Sequence, residues 1–421
     1  MNSTVSETTS YHLRIRRSAW EPMLRRLLVH NDIYAVGTIR RLGALGELLL
    51  LVDELHVPAE IPNGQQRPPL EDWFVIVMPS RGEAGIDQIL CDLQPRPTQL
   101  LVVLLLNRSL PERCRLVKVE HGKITPVDSC EIVGLGMLKL QGSPPGIEHL
   151  DVRRSSRTRG ALGEALHDRL RGSTVTVVGL GRNGSQMCFL LAGLGIGRLR
   201  LIDADILQPE NLDGMPGLPA NDVGMSKVES LAVHLAAFRP DLPITYIEQP
   251  VTSRDATVLL HRPCDLLVST VDNDAARLDV SLLANQTLTP HLDVGTLVRR
   301  NDFGCSLYAD IRLLLPGMCV ACVGGLADPE AAFYELSAPD GSLHRGQPLA
   351  WSDQRSGSLV HLNSMACSFG VELWLRLLRG EIGAYWQRVT WEANQGIHLT
   401  GTEVAGSAAC RLCQPSTKSE S

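Results

Sequence analysis

The chain has no basic excess. Its 421 residues carry 40 Lys and Arg against 46 Asp and Glu, a net charge of −6. Nucleic-acid binders carry a basic surface, so there is no electrostatic case for that class. Long apolar runs are also missing. Residues 48–51 and 100–106 are apolar but fall far short of the ~20 residues of a membrane span. Residues 1–10 are polar and lack the apolar region of a signal peptide, so a cytoplasmic location is expected. That compartment keeps thiols reduced, and the 11 cysteines need not form disulfides. Lysine is scarce, limited to Lys118, Lys123, Lys139, Lys227 and Lys418. No internal repeat or low-complexity tract is present. The apolar and charged fractions, 44% and 20%, are those of a globular protein, and the length predicts two domains, each able to bury a core.

The first domain is expected over residues 1–145, as a mixed α/β fold. Strands are predicted over 33–39, 48–52, 73–77 and 100–106, and helices over 20–28 and 87–93. Residues 141–146 (Gln-Gly-Ser-Pro-Pro-Gly) break both periodicities and read as a linker. The second domain, 146–421, alternates strand and helix: strands at 175–178, 199–203, 244–247 and 266–269, helices at 185–194 and 228–235. That alternation predicts a doubly wound, mostly parallel sheet with helices on both faces. Residues 335–358 read as a crossover loop, 359–378 as a helix and 414–421 as a tail.

The strongest local signal is Val178-Gly179-Leu180-Gly181-Arg182-Asn183-Gly184-Ser185, between an apolar strand and a helix. In such a Gly-x-Gly-x-x-Gly turn the first glycine permits the tight bend and the second admits phosphate to the backbone. The third lets helix and strand pack closely. The helix N-terminus offers free N–H groups to an anion. Asp203, with Asp205 two residues on, lies at the right distance to accept hydrogen bonds from a ribose. The turn alone is a weak signal, but strand, helix and Asp203 together predict a nucleotide site.

Three features turn that prediction away from a nicotinamide cofactor. Lys227 begins a predicted helix and reads as a point charge for phosphate, or else as part of a solvated face. Asp272-Asn273 follows the apolar strand 266–269 at the carboxyl edge of the sheet. Asp272 there reads as a magnesium ligand or as a helix N-cap. Cys319-x-x-Cys322 and Cys410-x-x-Cys413 supply four thiolates, the pattern of a closed structural zinc site; a redox Cys-x-x-Cys is the rival reading.

These residues resemble the ThiF/MoeB/HesA superfamily, bacterial relatives of ubiquitin-activating enzymes, over about residues 153–413. The resemblance implies that Gly179, Gly181, Gly184 and Asp203 bind ATP. It matches Asn211-Leu212 to the family's Asn-Leu motif, Lys227 to its phosphate-contacting lysine, Asp272 to its magnesium-binding aspartate and Arg277 to a downstream arginine. Asp205 lies in the same ATP-binding segment. The four cysteines match the family's zinc ligands. Arg154-Ser155-Ser156-Arg157 matches the Arg-x-x-Arg that supplies an arginine finger, usually across a homodimer, with Arg157 as the finger. The implied reaction is ATP-dependent adenylation of the C-terminal carboxylate of a ubiquitin-like protein, a sulfur-carrier protein or a peptide.

Two departures from the family pattern stand out. Its arginine three residues after the Asn of the Asn-Leu motif is Gly214 here, and the second glycine of its Gly-Gly step is Arg182. Arg182 is expected either to replace the lost charge from the other side of the phosphates or to point to solvent. The crossover segment 323–366 has no cysteine, and Cys367 lies just beyond it. Cys367 reads as core, or as a nucleophile if a helix N-terminus lowers its pKa. The expected enzyme therefore adenylates without forming its own thioester. The alternative is an inactive scaffold that pairs with another activating subunit. Residues 73–105 resemble JAMM/MPN domains. The zinc-binding His-x-His is missing around Met78-Pro79-Ser80, and His30 and His56 lack ligand spacing, so a non-hydrolytic, partner-binding domain is expected.

Overall fold

The computed structural model describes residues 10–29, 34–42, 47–52, 55, 72–77, 100–105, 115–120, 123–127, 129–134, 136–142, 152–301, 304–337, 359–392, 396–407 and 410–413. The chain divides into two compact units whose boundary falls at Gly146.

The first unit contains β1 (Ser10–Arg16), α1 (Arg17–Val29), β2 (Tyr34–Leu42), β3 (Glu47–Val52), β4 (Asp72–Val77), β5 (Leu100–Leu105), β6 (Arg115–Glu120), β7 (Lys123–Pro126), β8 (Ser129–Gly134) and β9 (Gly136–Gly142). The strands form one sheet in the order β7-β6-β5-β4-β2-β3-β1-β8-β9. Leu49 to Val52 and Leu101 to Leu104 are buried throughout, as in strands covered on both faces. α1 buries Trp20, Met23 and Leu27, a helical spacing, against Leu13, Ile15, Leu50 and Ile132. β1, β6, β7, β8 and β9 have no counterpart among the predicted strands. The predicted linker is entered later than expected, because Gln141 and Gly142 still pair in β9. Residues 78–80, the predicted helix 87–93, His30 and His56 lie outside the described residues.

The second unit runs α2 (Val152–Leu162), α3 (Glu164–Arg171), β10 (Thr174–Val178), α4 (Arg182–Leu194), β11 (Arg198–Ile202), α5 (Lys227–Phe238), β12 (Ile244–Ile247), α6 (Arg254–Leu260), β13 (Leu266–Ser269), α7 (Asp274–Gln286), β14 (His291–Asn301), β15 (Gly304–Leu314), α8 (Pro329–Ser337), α9 (Val360–Arg379), β16 (Tyr385–Glu392) and β17 (Gly396–Glu403). The sheet order is β12-β11-β10-β13-β14-β15-β16-β17. β12 to β14 pair in parallel, and β14 to β17 continue the sheet antiparallel.

Side chains alternate across this sheet. Val175, Val177, Leu199, Leu201, Leu266 and Val268 pack with Met187 and Leu191 of α4, Leu231 of α5 and Trp374 of α9. Val178, Ile202 and Leu267 face the other way, onto Ala256 and Leu259 of α6 and Val280 of α7. The sheet is therefore wound on both faces. Two sequence expectations need correction. Residues 335–337 belong to α8 rather than to a loop. The parallel half is followed by three antiparallel strands, β15 to β17, that periodicity did not mark.

Candidate nucleotide site and metal centre

Parallel register sets Val178 of β10 beside Ile202 of β11 and Ser269 of β13. The next residue of each strand, Gly179, Asp203 and Thr270, therefore emerges at one carboxyl edge. Backbone bonds lock the three ends: Gly179 N donates to Ile202 O at 3.0 Å and Thr270 N to Val178 O at 2.9 Å. Gly179 has φ +83°, and a Cβ there would stand 3.0 Å from the Thr270 backbone. Gly184 is tighter still, since its Cβ would fall 2.0 Å from Gly179 O. Gly181 differs. It caps α4 with no side-chain bond, and a Cβ on it would meet nothing within 4 Å. The space beside Gly181, at the N-terminus of α4, is thus open, as an anion site requires.

Asp203 accepts from Leu180 N with one oxygen and from Asp205 N at 2.8 Å with the other. Burial pushes its carboxyl up from the ordinary value, against Lys227 and the two N–H donors, which favour the charged form. A carboxylate has about four lone-pair sites, so Asp203 keeps acceptor capacity for hydroxyls while it holds the glycine turn.

Lys227 is not on a solvated face. Its side chain is 9% exposed, and Nζ lies 2.7 Å from Asp205 Oδ2. Its own N–H donates to Asp205 O, and Ser226 caps the helix by accepting from Glu229 N. Asn211 shapes the neighbouring loop, where its Oδ1 accepts from Gln208 N at 2.9 Å. Gln186 of α4 donates to Gly214 O and ties that loop to the glycine helix.

Arg182 does not point to solvent. Its side chain is 15% exposed, and Nη2 contacts Asp213 Oδ1 at 2.6 Å and Glu210 O at 2.9 Å. Asp272 is exposed at the end of β13 and is not the helix cap, because Asn273 caps α7 by accepting from Ala276 N at 2.7 Å. Arg277 turns back onto the same loop. Nη2 donates to Val271 O at 2.9 Å and Nε lies 3.0 Å from Asp293 Oδ1. Asp293 is fully buried and also meets Arg312 Nη1 at 3.0 Å and the Ser269 hydroxyl at 2.8 Å. A buried carboxylate needs such cationic partners. The loop bearing Asp272 is therefore anchored from behind. Arg157 stands exposed on α2.

Cys319, Cys322, Cys410 and Cys413 converge, with all four Sγ atoms within 4.8 Å of one another. Neighbouring sulfurs lie 3.6, 3.8 and 3.3 Å apart. Bonds of ~2.3 Å in a tetrahedron set sulfurs about 3.8 Å apart, so the cluster fits zinc. A hydrogen bond from Cys413 leads the effects that hold Cys319 down to about 5, while the same contact pushes Cys413 up. Cys319 is thus favoured as a thiolate, whereas burial pushes Cys322 up. The Cys319–Cys322 knuckle is fixed to α7: Ser281 Oγ accepts from Val320 N at 3.0 Å, and Asn285 bonds both Gly317 N and Met318 O.

Cys367 is core. It lies two turns inside α9, beyond reach of the helix N-terminus, and donates to Asn183 O at 3.2 Å. Burial pushes its thiol up to about 12. Sequence reasoning missed Asp213, Thr270, Asp293 and the part-buried amide pair Asn363–Asn183. Asp213 had one available signal, its place beside the anomalous Gly214, and Asn183 lies within the glycine turn itself; Asp293 and Asn363 belong to no motif.

Residues 154–337 match the ThiF family. Ubiquitin-like modifier-activating enzyme 5 of Drosophila pseudoobscura pseudoobscura is 30% identical over 177 residues, 39% of this chain and 43% of that protein. Its counterpart in Caenorhabditis elegans is 31% identical over 169 residues, 37% of this chain and 39% of that protein. The chain thus spans under half the length of these curated relatives. Among solved structures, Escherichia coli MccB crystallised with ATP is 19% identical with TM-score 0.47, covering 64% of this chain and 76% of that one. No helix among the described residues is long and apolar enough to cross a membrane.

Proposed function

We propose that the chain is an ATP-dependent adenylyltransferase acting on the C-terminal carboxylate of a ubiquitin-like protein, a sulfur-carrier protein or a peptide. One observation carries this reading. The glycine turn, Asp203 and the Asp272 loop leave three neighbouring strand ends within the residues that match the ThiF family. The named relatives, which activate ubiquitin-like modifiers, support it.

In the proposed reaction a carboxylate oxygen of the acyl substrate attacks the α-phosphorus of ATP. The bond from that phosphorus to the bridging oxygen breaks, and pyrophosphate leaves with the electron pair. The protein's task is to position the reactants and neutralise phosphate charge. Asp203 would take the ribose hydroxyls. The N–H groups of α4 and Lys227 would face the phosphates, and Asp272 would hold magnesium, whose charge offsets that of the triphosphate. Arg277 keeps the Asp272 loop in place through Val271 O. Arg157 would enter the site of a second copy, making the working form a homodimer. Zinc on the four cysteines would be structural, because four thiolates leave no open position.

Exchange of labelled pyrophosphate into ATP, run with candidate carrier proteins and peptides, tests the proposal. Exchange is expected with the native chain and lost with Asp272→Ala. Partner binding without exchange would instead favour the scaffold reading. That reading drew support from Gly214, and Arg182 already occupies the space above Gly214.

A further inference from the structure

Gly214 and Arg182 are one feature. A Cβ on Gly214 would lie 2.5 Å from Arg182 Cδ, 2.6 Å from Cγ and 2.7 Å from Nε. These atoms form the middle of the arginine side chain, so no small swing of its tip would clear the clash. Gly214 does not have positive φ, in contrast to Gly217 and Gly224 in the same loop. Its backbone therefore does not require glycine. The requirement comes from the arginine that crosses it.

That arginine stands in an unusual place. Arg182 is the first residue of α4, where the helix dipole repels a cation and attracts an anion. It adjoins Gly181, whose outer side is open. Asp213, beside Gly214, offsets the repulsion through the 2.6 Å contact, but its side chain is 72% exposed. Exposed ion pairs are weak and easily exchanged. Glu210 O holds the same nitrogen independently of Asp213, so the guanidinium keeps its place if the carboxylate is removed.

We propose that Arg182 is a phosphate-binding residue whose reach depends on Gly214, and that Asp213 tunes nucleotide affinity by competing with polyphosphate for the same guanidinium. This rests on the nucleotide site of the adenylation reading and adds two positions to it. Gly214 is the clearance for the arginine, and Asp213 is a specificity-determining carboxylate. A triphosphate outbids one exposed carboxylate, whereas a monophosphate gains much less, so the arrangement favours ATP over AMP.

The test is calorimetric binding of Mg·ATP and of AMP to the full chain, with a melting temperature for every variant. Arg182→Ala is expected to weaken Mg·ATP binding at least about tenfold, the scale of a charged hydrogen bond. Gly214→Ala, with the arginine present, should weaken it several-fold and add nothing in the Arg182→Ala background. Asp213→Asn should tighten Mg·ATP about two- to fivefold, the scale of an exposed ion pair, change AMP less, and have no effect once Arg182 is alanine. Arg182→Lys should fall between native and alanine. The proposal is overturned if Gly214→Ala binds like the native chain, or if the Asp213→Asn gain persists without Arg182. The second outcome would reduce Asp213 to a general field effect. A native chain that does not bind Mg·ATP at all sinks the adenylation reading and this one with it; native binding with unaltered variants sinks this one alone.

Discussion

Lys227 shows how far a single residue could be read from the sequence. Its scarcity and its place before Val-Glu marked it, but its burial and its bond to Asp205 did not follow from spacing. Because Asp205 is 68% exposed, loss of the lysine returns that carboxylate to water at little cost. Lys227 is itself buried, however, and favours the charged form of Asp203, so Lys227→Ala is expected to lower stability by ~1–2 kcal/mol, while pyrophosphate exchange falls on the order of 100-fold, the loss of one transition-state charge. Melting curves and exchange rates on one preparation check both numbers. His291 behaves in the opposite way and was not legible at all. Its Nε2–H donates to Ser269 Oγ at 2.8 Å, because that hydroxyl gives its own proton to Asp293, and burial pushes the imidazole down to about 4; Asp293 pulls it up and Arg277 pulls it down. The unfolded chain takes up a proton near pH 6.5 that the folded chain refuses until about pH 4. Stability is therefore held above pH 6.5 and lost as pH falls through that window, by ~3 kcal/mol at most. His291→Gln is expected to flatten this part of the pH–stability curve, measured by urea denaturation. Buried ion clusters such as Asp293–Arg277–Arg312 assemble from three separate elements, and no spacing rule announces them.

At the scale of elements, the parallel half was legible because β10, β11 and β13 are short apolar runs between helices. The rest of the sheet, β14–β17, was not. Its strands carry Asp293, Asp310, Arg312 and Arg388, which pair across the sheet, and β17 is exposed along its whole length. β15 does alternate, burying Leu307, Ala309, Ile311 and Leu313, but the charges between them and the exposed β17 hide the extension as a whole. The metal centre is also an element-scale device. Its first knuckle hangs on Ser281 and Asn285 of α7, the helix that starts just after the Asp272 loop. Freshly purified protein is expected to contain about one zinc per chain. Cys413→Ser should lower the melting temperature by roughly 5–10 °C, or ~2–3 kcal/mol, and raise hydrogen exchange in α7 above that in α5. Equal exchange in the two helices would break the proposed link between metal and α7.

At the scale of the whole molecule, the proposed homodimer makes a sharp demand. If Arg157 serves the site of the other copy, Arg157→Ala and Asp272→Ala damage different halves of each site. Either variant alone is expected to be inactive in exchange. Remixed after subunit exchange, half of the dimers are hybrids and each hybrid regains one intact site, so about a quarter of native activity should return. No recovery from well-mixed subunits would place the finger in cis or remove it. The second fold was legible from its strand–helix rhythm. The first unit was much less legible, since β6 to β9 are short strands with mixed polarity.

The cysteine cluster also sets a timetable. Cys319 and Cys410 stand 91 residues apart, and the second knuckle closes only with Cys413. A ribosome that has released the glycine turn, the acidic loop and all of α7 has still not delivered the last sulfur. If zinc binds this cluster, it can fasten the nascent domain only once residue 413 has been made.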